Sequence, residues 1–264
     1  RILITGTTGF VGHKLKASYT DAIAAPSLRN ATQDMIKKIV EESEADVVIH
    51  TAAISDIGTC QKDPQSSYFA NVQIPLYLAA ACKDRKLICF SSDQVYSACK
   101  EDGPYIEEVV KPGNIYAEHK LEMEERVLEL VPSAVMLRAE WMYDYVSPKP
   151  NYFLNVLHAS QQVSFSSRQF RGITYLKEVV ENMDHVMALP GGVYNFGSET
   201  NQSMYKITEQ FLQLLGKDVQ LHDALPRHNL WMNCEKARKY GVEFSDASDG
   251  LKRCLNDYKT TIKQ

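Results

Sequence analysis

The sequence predicts an α/β protein in which helices cover both faces of a parallel sheet, followed by a smaller, mostly helical region. Over the first 140 residues, short apolar runs alternate with helical patterns, which is typical of parallel strands joined by crossover helices. The strand-like runs are apolar at successive positions, as expected for a sheet buried on both faces. The length of 264 residues suits one large or two modest domains. We expect one domain over residues 1–144, to which 172–190 return, and a smaller substrate-binding region over 145–264.

The elements of the first region follow from these patterns. Strands are predicted over residues 1–5, 46–51, 86–91 and 134–137, and helices from about 12, over 64–83 and over 116–130. The helix over 116–130 is expected to turn its aliphatic residues towards the core and its glutamates towards solvent. The inward set is Leu121, Val127, Leu128 and Leu130, and the outward set is Glu122, Glu124 and Glu125.

Beyond residue 144 the regular alternation is lost. Residues 143–150 are rich in Tyr and Pro and indicate a crossing segment, since Pro disrupts helices and strands. A late strand is predicted over 192–196, and helices over 203–215 and 233–240. We expect substrate specificity to reside in this region. Between residues 14 and 32 the chain is short for a helix, a strand and a turn, which leaves open whether residues are absent there.

Composition argues against nucleic-acid, membrane and metal-binding functions. Lys and Arg number 29 and Asp and Glu 33, so the net charge is −4, whereas nucleic-acid binding needs a basic face. No apolar run approaches the roughly 20 residues that span a bilayer. The six cysteines form no CxxC pair and the seven histidines show no ligand spacing, so neither indicates a metal site. Free thiols are typical of cytoplasmic proteins, and we predict that location.

A glycine-rich turn follows the first predicted strand. In GTTGFVG (6–12), three glycines stand three residues apart, at Gly6, Gly9 and Gly12. The first permits a tight turn, the second lets the backbone approach a pyrophosphate at the helix N-terminus, and the third lets the helix pack close to the sheet. Between a strand and a helix, this spacing predicts dinucleotide binding and a Rossmann-type doubly wound sheet.

The choice of dinucleotide depends on the residues after the second strand. In NAD-binding proteins an acidic residue there grips the ribose 2′-hydroxyl. Residues 22–29 (AIAAPSLR) contain no carboxylate. Ser27 and Arg29 would tolerate a 2′-phosphate, so NADP(H) is permitted and the choice between NADP(H) and NAD(H) stays open.

A tyrosine and a lysine four residues apart form the strongest catalytic candidate. On a helix, Tyr116 and Lys120 share one face, where the ammonium would favour the phenolate and lower the tyrosine pKa. The same spacing occurs twice more, from Tyr96 in a predicted loop and around Pro148, where no regular helix can form. Only the pair from Tyr116 opens a convincing helix.

A serine pair supplies a third group. Ser91 and Ser92 follow a predicted strand at its carboxyl end, where ligands bind in open α/β sheets. A hydroxyl there could hold a substrate carbonyl beside Tyr116, or it could merely cap a helix. Of the two serines, Ser92 is the better candidate.

The motifs extend through nearly the whole chain. They are ILITGTTGFVG (2–12), DVVIHTAAIS (46–55), YFANVQIP (68–75) with Asn71, FSSDQVY (90–96), EDGPYIEE (101–108), NIYAEHK (114–120), MLRAEW (136–141), RQFRGITY (168–175) and LPRHNLWMN (225–233). Together they resemble the extended short-chain dehydrogenase/reductases, and within them the dTDP-4-dehydrorhamnose reductase (RmlD-like) family. The spacing of the three glycines separates this group from the shorter reductases.

The resemblance implies roles for the matching positions. Ser92, Tyr116 and Lys120 would be the catalytic residues. The cofactor, NADP(H) or NAD(H), would be bound by Gly6, Thr8, Gly9, Phe10, Val11, Gly12, Ala52, Ala53, Ile54, Asn71, Tyr116 and Lys120. The nucleotide-sugar substrate would contact Asp93, Gln94, Trp141, Arg171 and Arg227, and the two arginines suit its diphosphate because a guanidinium binds phosphate bidentately. The chemistry needs no metal.

Three positions depart from the family pattern. Gln94 stands where an aromatic residue is usual, Ile173 replaces a Pro, and Lys177–Glu178 replaces an acidic pair, so the particular sugar stays open. The resemblance implies reduction of the keto group of a nucleotide-linked deoxysugar, and a homodimer is expected. Two alternatives remain, a nucleotide-sugar epimerase or dehydratase that retains NAD, and a non-catalytic dinucleotide-binding regulatory protein.

Overall fold

The computed structural model describes all 264 residues, Arg1–Gln264, and these form two units. The first unit comprises Arg1–Ala98, Val110–Arg138 and Met183–Tyr194, and the second comprises Cys99–Val109, Ala139–Asn182 and Asn195–Gln264. The chain leaves the first unit at Arg138, shortly before the boundary predicted at residue 144. It returns over a segment that overlaps the predicted 172–190, while the excursion over 99–109 has no counterpart in the prediction.

The strands and helices are as follows. The strands are β1 (Ile2–Thr5), β2 (Ile23–Ala24), β3 (Val47–His50), β4 (Lys86–Ser92), β5 (Val135–Ala139), β6 (Trp141–Tyr143), β7 (Gln162–Phe165), β8 (Gln169–Phe170), β9 (Ile173–Tyr175), β10 (Gly192–Phe196), β11 (Gln220–Asp223) and β12 (His228–Asn229). The helices are α1 (Phe10–Ser18), α2 (Gln33–Ser43), α3 (Ile57–Lys62), α4 (Pro64–Tyr68), α5 (Ile74–Ala81), α6 (Ile115–Leu130), α7 (Tyr152–Leu157), α8 (Leu176–Glu181), α9 (Met183–Met187), α10 (Met204–Leu215), α11 (Glu235–Arg238) and α12 (Ala247–Ile262). A π-helical turn (Phe69–Gln73) joins α4 to α5, and a 3-10 turn (Asp93–Tyr96) follows β4.

Six strands form one sheet in the order β10–β5–β4–β3–β1–β2. The neighbours β1–β2, β1–β3 and β3–β4 pair in parallel. From β1 the chain passes to a strand on one side and then crosses to a strand on the other. This reversal creates a switch point at the carboxyl ends of β1 and β3, where ligands bind in such sheets. The predicted Rossmann-type fold class is confirmed.

The sheet is buried on both faces. In β1, β3 and β4, pairs of successive residues are at most 1% exposed, namely Leu3–Ile4, Val48–Ile49 and Leu87–Ile88. Because successive side chains of a strand point to opposite faces, both faces lie under helices. On one of them, Ile36 of α2, Leu78 of α5 and Met123 of α6 belong to the same core as the strand residues.

Helix α6 departs from its predicted orientation at two positions. Glu124 is predicted to face solvent but is only 1% exposed, and Leu130 is predicted to face the core but is 45% exposed. Glu124 pairs with Arg138 of β5 at 2.7 Å. The prediction for Glu124 was wrong because the partner that compensates its buried carboxylate lies on another element, which the helix pattern cannot reveal. The prediction for Leu130 was wrong because Leu130 is the last residue of α6, beyond the packed part of the helix.

The second unit contains three small parallel pairings, β6–β9, β7–β11 and β8–β12. Its core includes Phe153 of α7, Phe211 of α10 and Leu251 of α12. The helix predicted over 233–240 is only one turn, α11, which ends at Arg238 in a turn leading to Gly241, whose φ is +90°. Helix α12 has no counterpart in the prediction, although Asp246 caps it and its apolar residues recur at helical spacing. None of the helices combines the length and apolar character needed to cross a bilayer.

Candidate active site

The glycine turn brings backbone segments into close approach. Gly6 has a φ of +68°, in the left-handed region that favours glycine. A Cβ atom at Gly6 would lie 2.7 Å from Thr51 Oγ1, and one at Gly12 would overlap the carbonyl oxygen of Gly6. Gly9 donates its N–H to that same carbonyl at 2.9 Å. The turn therefore requires glycine at its first and third positions for steric reasons alone.

Helix α1 begins without a side-chain cap. Its N-cap is Gly9, whereas α2, α6, α10 and α12 each have a side chain that accepts a first-turn N–H. The N–H groups of Phe10 and Val11 lie in the positive end of the helix dipole, which attracts anions. Together with the narrow glycine turn, this end of α1 fits the pyrophosphate of a dinucleotide. Thr8, at the tip of the turn, is exposed.

Two buried polar residues hold the turn to β3. Thr5 Oγ1 lies 2.7 Å from His50 Nδ1 and accepts the Thr51 N–H at 3.1 Å. The hydroxyl and the imidazole thus share a hydrogen bond whose direction depends on the histidine tautomer. Complete burial, with a smaller effect of the Lys120 charge, lowers the His50 pKa to about 3. His50 is therefore a neutral structural residue.

The loop after β3 contains three of the predicted cofactor-binding residues, Ala52, Ala53 and Ile54. Ala53 is exposed, and Ala52 and Ile54 are half-buried. Asn71, in the π-helical turn, is fully buried and holds this loop by its backbone. Its Nδ2 donates to the Ile54 carbonyl at 3.0 Å, and its Oδ1 accepts the Ile54 N–H at 3.3 Å. Asn71 thus positions the loop from behind.

Ser92 and Tyr116 meet although they come from separate segments. Ser92 ends β4, and its hydroxyl accepts the Gln94 N–H at 3.0 Å, so it also caps the 3-10 turn. The Ser92 hydroxyl lies close enough to the Tyr116 side chain to lower the Tyr116 pKa. Ser92 is 6% and Tyr116 7% exposed. The structure therefore places both hydroxyls near the carboxyl end of β4.

Lys120 lies one helical turn beyond Tyr116. Its Nζ donates to the Phe90 carbonyl at 2.9 Å and lies 5.8 Å from the centre of the Tyr116 ring. Burial lowers the Lys120 pKa to about 8. Burial also raises the Tyr116 pKa well above its usual value, and the nearby Ser92 side chain opposes this only in part. The predicted lowering of the Tyr116 pKa by Lys120 was wrong, because desolvation dominates the shift and Lys120 is not among the groups that cause it.

Two predicted substrate residues adjoin Ser92. Asp93 is 3% exposed, and the Ser92 hydroxyl lies 3.5 Å from its Oδ1. Gln94 is half-buried, and its Oε1 accepts from Asn114 Nδ2 at 3.1 Å. Asn114 also caps α6 by accepting the Ala117 N–H at 2.8 Å. Gln94 is therefore tied to the first turn of the helix that carries Tyr116.

The other predicted substrate residues lie in the second unit. The Arg171 guanidinium stacks 3.9 Å from the centre of the Trp141 ring. Trp141 is 42% exposed, whereas Arg171 is 1% exposed. Arg227 donates to Asp102 Oδ1 at 2.5 Å, so an anionic ligand at Arg227 would compete with that carboxylate. The structure brings Trp141 and Arg171 together, whereas Arg227 pairs with Asp102.

Sequence reasoning missed a buried polar cluster beside the catalytic candidates. Its members are Ser91, Tyr96, Glu124 and Arg138. The sequence contained one indication of the Glu124–Arg138 pair. Arg138 interrupts an otherwise apolar strand, and Glu124 follows Lys120 by one helical turn. No group of three or more His, Cys, Asp or Glu side chains is arranged to hold a metal ion.

Comparison with known proteins decides the family. The family model described as the RmlD substrate binding domain matches residues 1–260. The chain belongs to this family. The resemblance inferred from the sequence motifs is confirmed.

Individual relatives agree with this assignment. The dTDP-4-dehydrorhamnose reductase of Mycolicibacterium smegmatis is 33% identical over 152 residues, which are 54% of this chain and 46% of that protein. The dTDP-4-dehydrorhamnose reductase of Aggregatibacter actinomycetemcomitans is 26% identical over 78% of this chain and 76% of that protein. The crystal structure of dTDP-4-dehydrorhamnose reductase from Bacillus anthracis in complex with NADP has a TM-score of 0.85 at 19% identity, covering 97% of this chain and 98% of that chain. The chain spans about half the length of the first relative and about three quarters of the second.

Proposed function

We propose that this protein is an NADPH- or NADH-dependent reductase that converts the keto group of a nucleotide-linked deoxysugar into an alcohol. The observation that carries the proposal is the arrangement of three buried residues, Ser92 at the end of β4 close to the Tyr116 hydroxyl, and Lys120 with its ammonium 5.8 Å from the centre of the Tyr116 ring. These residues lie in the unit that contains the glycine turn. The names of the relatives support the same reaction class.

Each catalytic residue has a separate task in this reaction. Ser92 donates a hydrogen bond to the substrate carbonyl oxygen and orients it. Tyr116 gives its proton to that oxygen, and burial suits this task because it raises the Tyr116 pKa and keeps the phenol protonated. Lys120, with a pKa of about 8, is mostly protonated at neutral pH and stabilises the phenolate that remains.

The glycine turn and the loop after β3 would hold the cofactor, which supplies a hydride when bound. The pyrophosphate would lie at the first turn of α1, against Gly9, Phe10 and Val11. After β2 there is no carboxylate, and Ser27 and Arg29 are exposed. This arrangement tolerates the 2′-phosphate of NADP(H) without excluding NAD(H).

The substrate contacts are proposals of the same kind. Asp93 and Gln94 would face the sugar, and Trp141, Arg171 and Arg227 would bind the nucleotide and its diphosphate. The six cysteines are free thiols, which supports a cytoplasmic location. A homodimer without nucleic-acid or membrane partners completes the proposal, and light scattering of the purified protein tests the dimer.

One experiment separates this function from its alternatives. The purified protein is titrated with NADH and NADPH while nicotinamide fluorescence is followed, and a nucleotide-linked 4-keto-6-deoxysugar is then added. A reductase oxidises the reduced cofactor and forms one alcohol for each hydride. Retention of NAD through purification, with isomerised or dehydrated sugar and no net oxidation, would instead indicate an epimerase or dehydratase. Tight cofactor binding without turnover of any ketone would favour a regulatory protein.

A further inference from the structure

A buried polar cluster, the Glu124 cluster, joins four elements of the first unit. It consists of Ser91 of β4, Tyr96 of the 3-10 turn, Glu124 of α6 and Arg138 of β5, none more than 5% exposed. Two of its members, Ser91 and Tyr96, lie on either side of Ser92 in the chain. Nothing in the proposed reaction uses these four side chains directly.

Glu124 is the centre of the cluster. Its carboxylate accepts from Arg138 Nε at 3.0 Å and Nη2 at 2.7 Å, and from the Ser91 hydroxyl at 2.5 Å. Arg138 Nη1 donates to the Tyr96 hydroxyl at 2.9 Å. Both oxygens of the carboxylate are therefore engaged, and the guanidinium links them to the 3-10 turn.

The cluster continues a series of contacts between α6 and the end of β4. Tyr116, Lys120 and Glu124 follow one another at one-turn intervals on the same helix face. Lys120 donates to the Phe90 carbonyl, Glu124 accepts from Ser91, and the Tyr116 side chain lies close to Ser92. Two consecutive turns of α6 thus hold the two residues of β4 that directly precede Ser92.

We propose that Glu124 and Arg138 are positioning residues for the reductase reaction, holding the end of β4 against α6 so that Ser92 stays within reach of Tyr116 and the Lys120 ammonium keeps its place. The inference rests on the proposed function. A buried ion pair adds little net stability, because desolvation offsets the attraction between its charges. What the pair supplies here is a fixed geometry across β4, β5 and α6.

The charges around Lys120 support this role. Glu124 on α6 raises the Lys120 pKa and so opposes the effect of burial. The other titratable groups near Lys120 are Tyr116 on α6, Cys89 on β4, Cys60 on α3 and His50 on β3. Tyr116 is a neutral phenol at pH 7, because burial raises its pKa. Burial raises the Cys89 pKa to about 12 and lowers the His50 pKa to about 3, so these two are neutral at pH 7. Removing the charge of Glu124 would therefore remove support for the lysine ammonium.

The test compares Glu124→Gln, which keeps the shape but not the charge, with Glu125→Gln, the same change at the exposed neighbouring position of α6. Two quantities are measured in each variant. The first is kcat with KM and the Kd of NADPH. The second is the titration of the Lys120 side chain, followed by NMR of 13C-lysine-labelled protein and assigned by the resonance that Lys120→Met lacks.

In Glu124→Gln we expect kcat to fall about 10- to 100-fold, because small misplacements of reacting groups slow a reaction by this amount. The NADPH Kd should change little. We expect the Lys120 titration to move to lower pH by about one unit. Glu125→Gln should match the wild type in both. A purely structural role would lower the unfolding midpoint but leave kcat and the titration of the folded protein unchanged, and that result would overturn the inference.

Two further outcomes, an inactive wild type and an unfolded Glu124→Gln variant, can also be interpreted. If the wild type reduces no ketone, the proposed function fails, but the Lys120 titration still tests the positioning role. If Glu124→Gln does not fold, Ser91→Ala removes only the hydroxyl that Glu124 holds on β4. A folded Ser91→Ala protein whose Lys120 titration is that of the wild type would overturn the inference, whereas a displaced titration supports it.

Discussion

At the scale of single residues, burial decides what the ionisable groups of the first unit do. It keeps His50 neutral, lowers the pKa of Lys120 and raises that of Tyr116. Desolvation always favours the uncharged form, so the shifts of the two bases and of the phenol have one cause. A protonated phenol is the form that a proton donor needs.

Tyr116→Phe tests the assignment of that donor. The change removes one hydroxyl from a buried ring, so the fold and the cofactor site should persist. We expect turnover of the nucleotide-sugar ketone to fall about 100- to 10,000-fold, the usual contribution of a positioned acid, while the NADPH Kd changes little. Steady-state assays and fluorescence titration measure the two quantities. Turnover at the wild-type rate would remove Tyr116 from the mechanism.

His50 makes stability depend on pH. Its folded-state pKa of about 3 lies below the ordinary value of 6.5, so the unfolded chain takes up the proton first as pH falls. The stability that depends on the neutral imidazole is present above pH 6.5 and is lost progressively towards pH 3. Between pH 7 and pH 5 we expect a loss of about 2 kcal/mol from this group.

Urea unfolding of the wild type and of His50→Asn at several pH values measures this loss. The difference between the two unfolding free energies should shrink as pH falls, because Asn does not titrate. His13→Asn is the control, since His13 is exposed. A difference that stays constant from pH 7 to pH 5 would contradict the predicted neutrality of His50.

At the scale of elements, strand ends and helix starts create the site. The turn between β1 and α1 leaves helix N–H groups without a side-chain partner, and the face of α6 holds the end of β4. The turn depends on glycines, because a Cβ atom at Gly6 or Gly12 would clash. The contact between α6 and β4 depends on side chains that are spaced one helical turn apart. Both place polar groups at the carboxyl edge of the sheet.

Gly12→Ala tests the steric part of this arrangement. Gly12 lies in α1 with ordinary helical geometry, so alanine fits its backbone conformation. The loss of stability comes from the overlap of the new Cβ with the Gly6 carbonyl oxygen. We expect a loss of about 1–3 kcal/mol in unfolding free energy, as for overpacking, and an NADPH Kd raised at least about tenfold. Denaturant unfolding and fluorescence titration measure these effects.

Gly216→Ala provides the matched control. Gly216 has a φ of +65°, but a Cβ there would meet no atom within 4 Å. This variant should lose about 1 kcal/mol from the left-handed backbone alone and keep the NADPH Kd of the wild type. Equal NADPH affinities in the two variants would argue against a cofactor site at the turn.

At the scale of the whole molecule, each unit has its own hydrophobic core. The proposed cofactor-binding segments, the glycine turn and the loop after β3, both belong to the first unit. A ligand that binds only the folded form stabilises it by mass action. Cofactor binding should therefore raise the free energy of unfolding of the first unit.

Hydrogen exchange measures that effect. With NADPH or NADH at a hundred times its Kd, we expect stabilisation by about 2.7 kcal/mol. Amides of β1 and α1 that exchange through unfolding should slow about 100-fold, because exchange by that route follows the free energy of opening. The Gly12→Ala variant at the same concentrations is the control, and it should show less protection. Exchange in β1 and α1 that is insensitive to either cofactor would place the binding site elsewhere.

Local patterns in the sequence were sufficient for much of the fold. Every strand predicted in the first region is present, because continuous apolar runs and crossover helices carry their own periodicity. The glycine turn, Tyr116 with Lys120, and Ser92 could be singled out in the same way, since each depends on short-range spacing. The family followed from the same motifs.

Only the tertiary structure decided which distant residues meet. It brought Ser92 close to Tyr116, buried Glu124 against Arg138, and stacked Arg171 on Trp141. It also decided that desolvation sets the Tyr116 pKa. The physical reason is that helix and strand periodicity depends on residues close together in the sequence, whereas burial and charge compensation depend on partners far away in the chain.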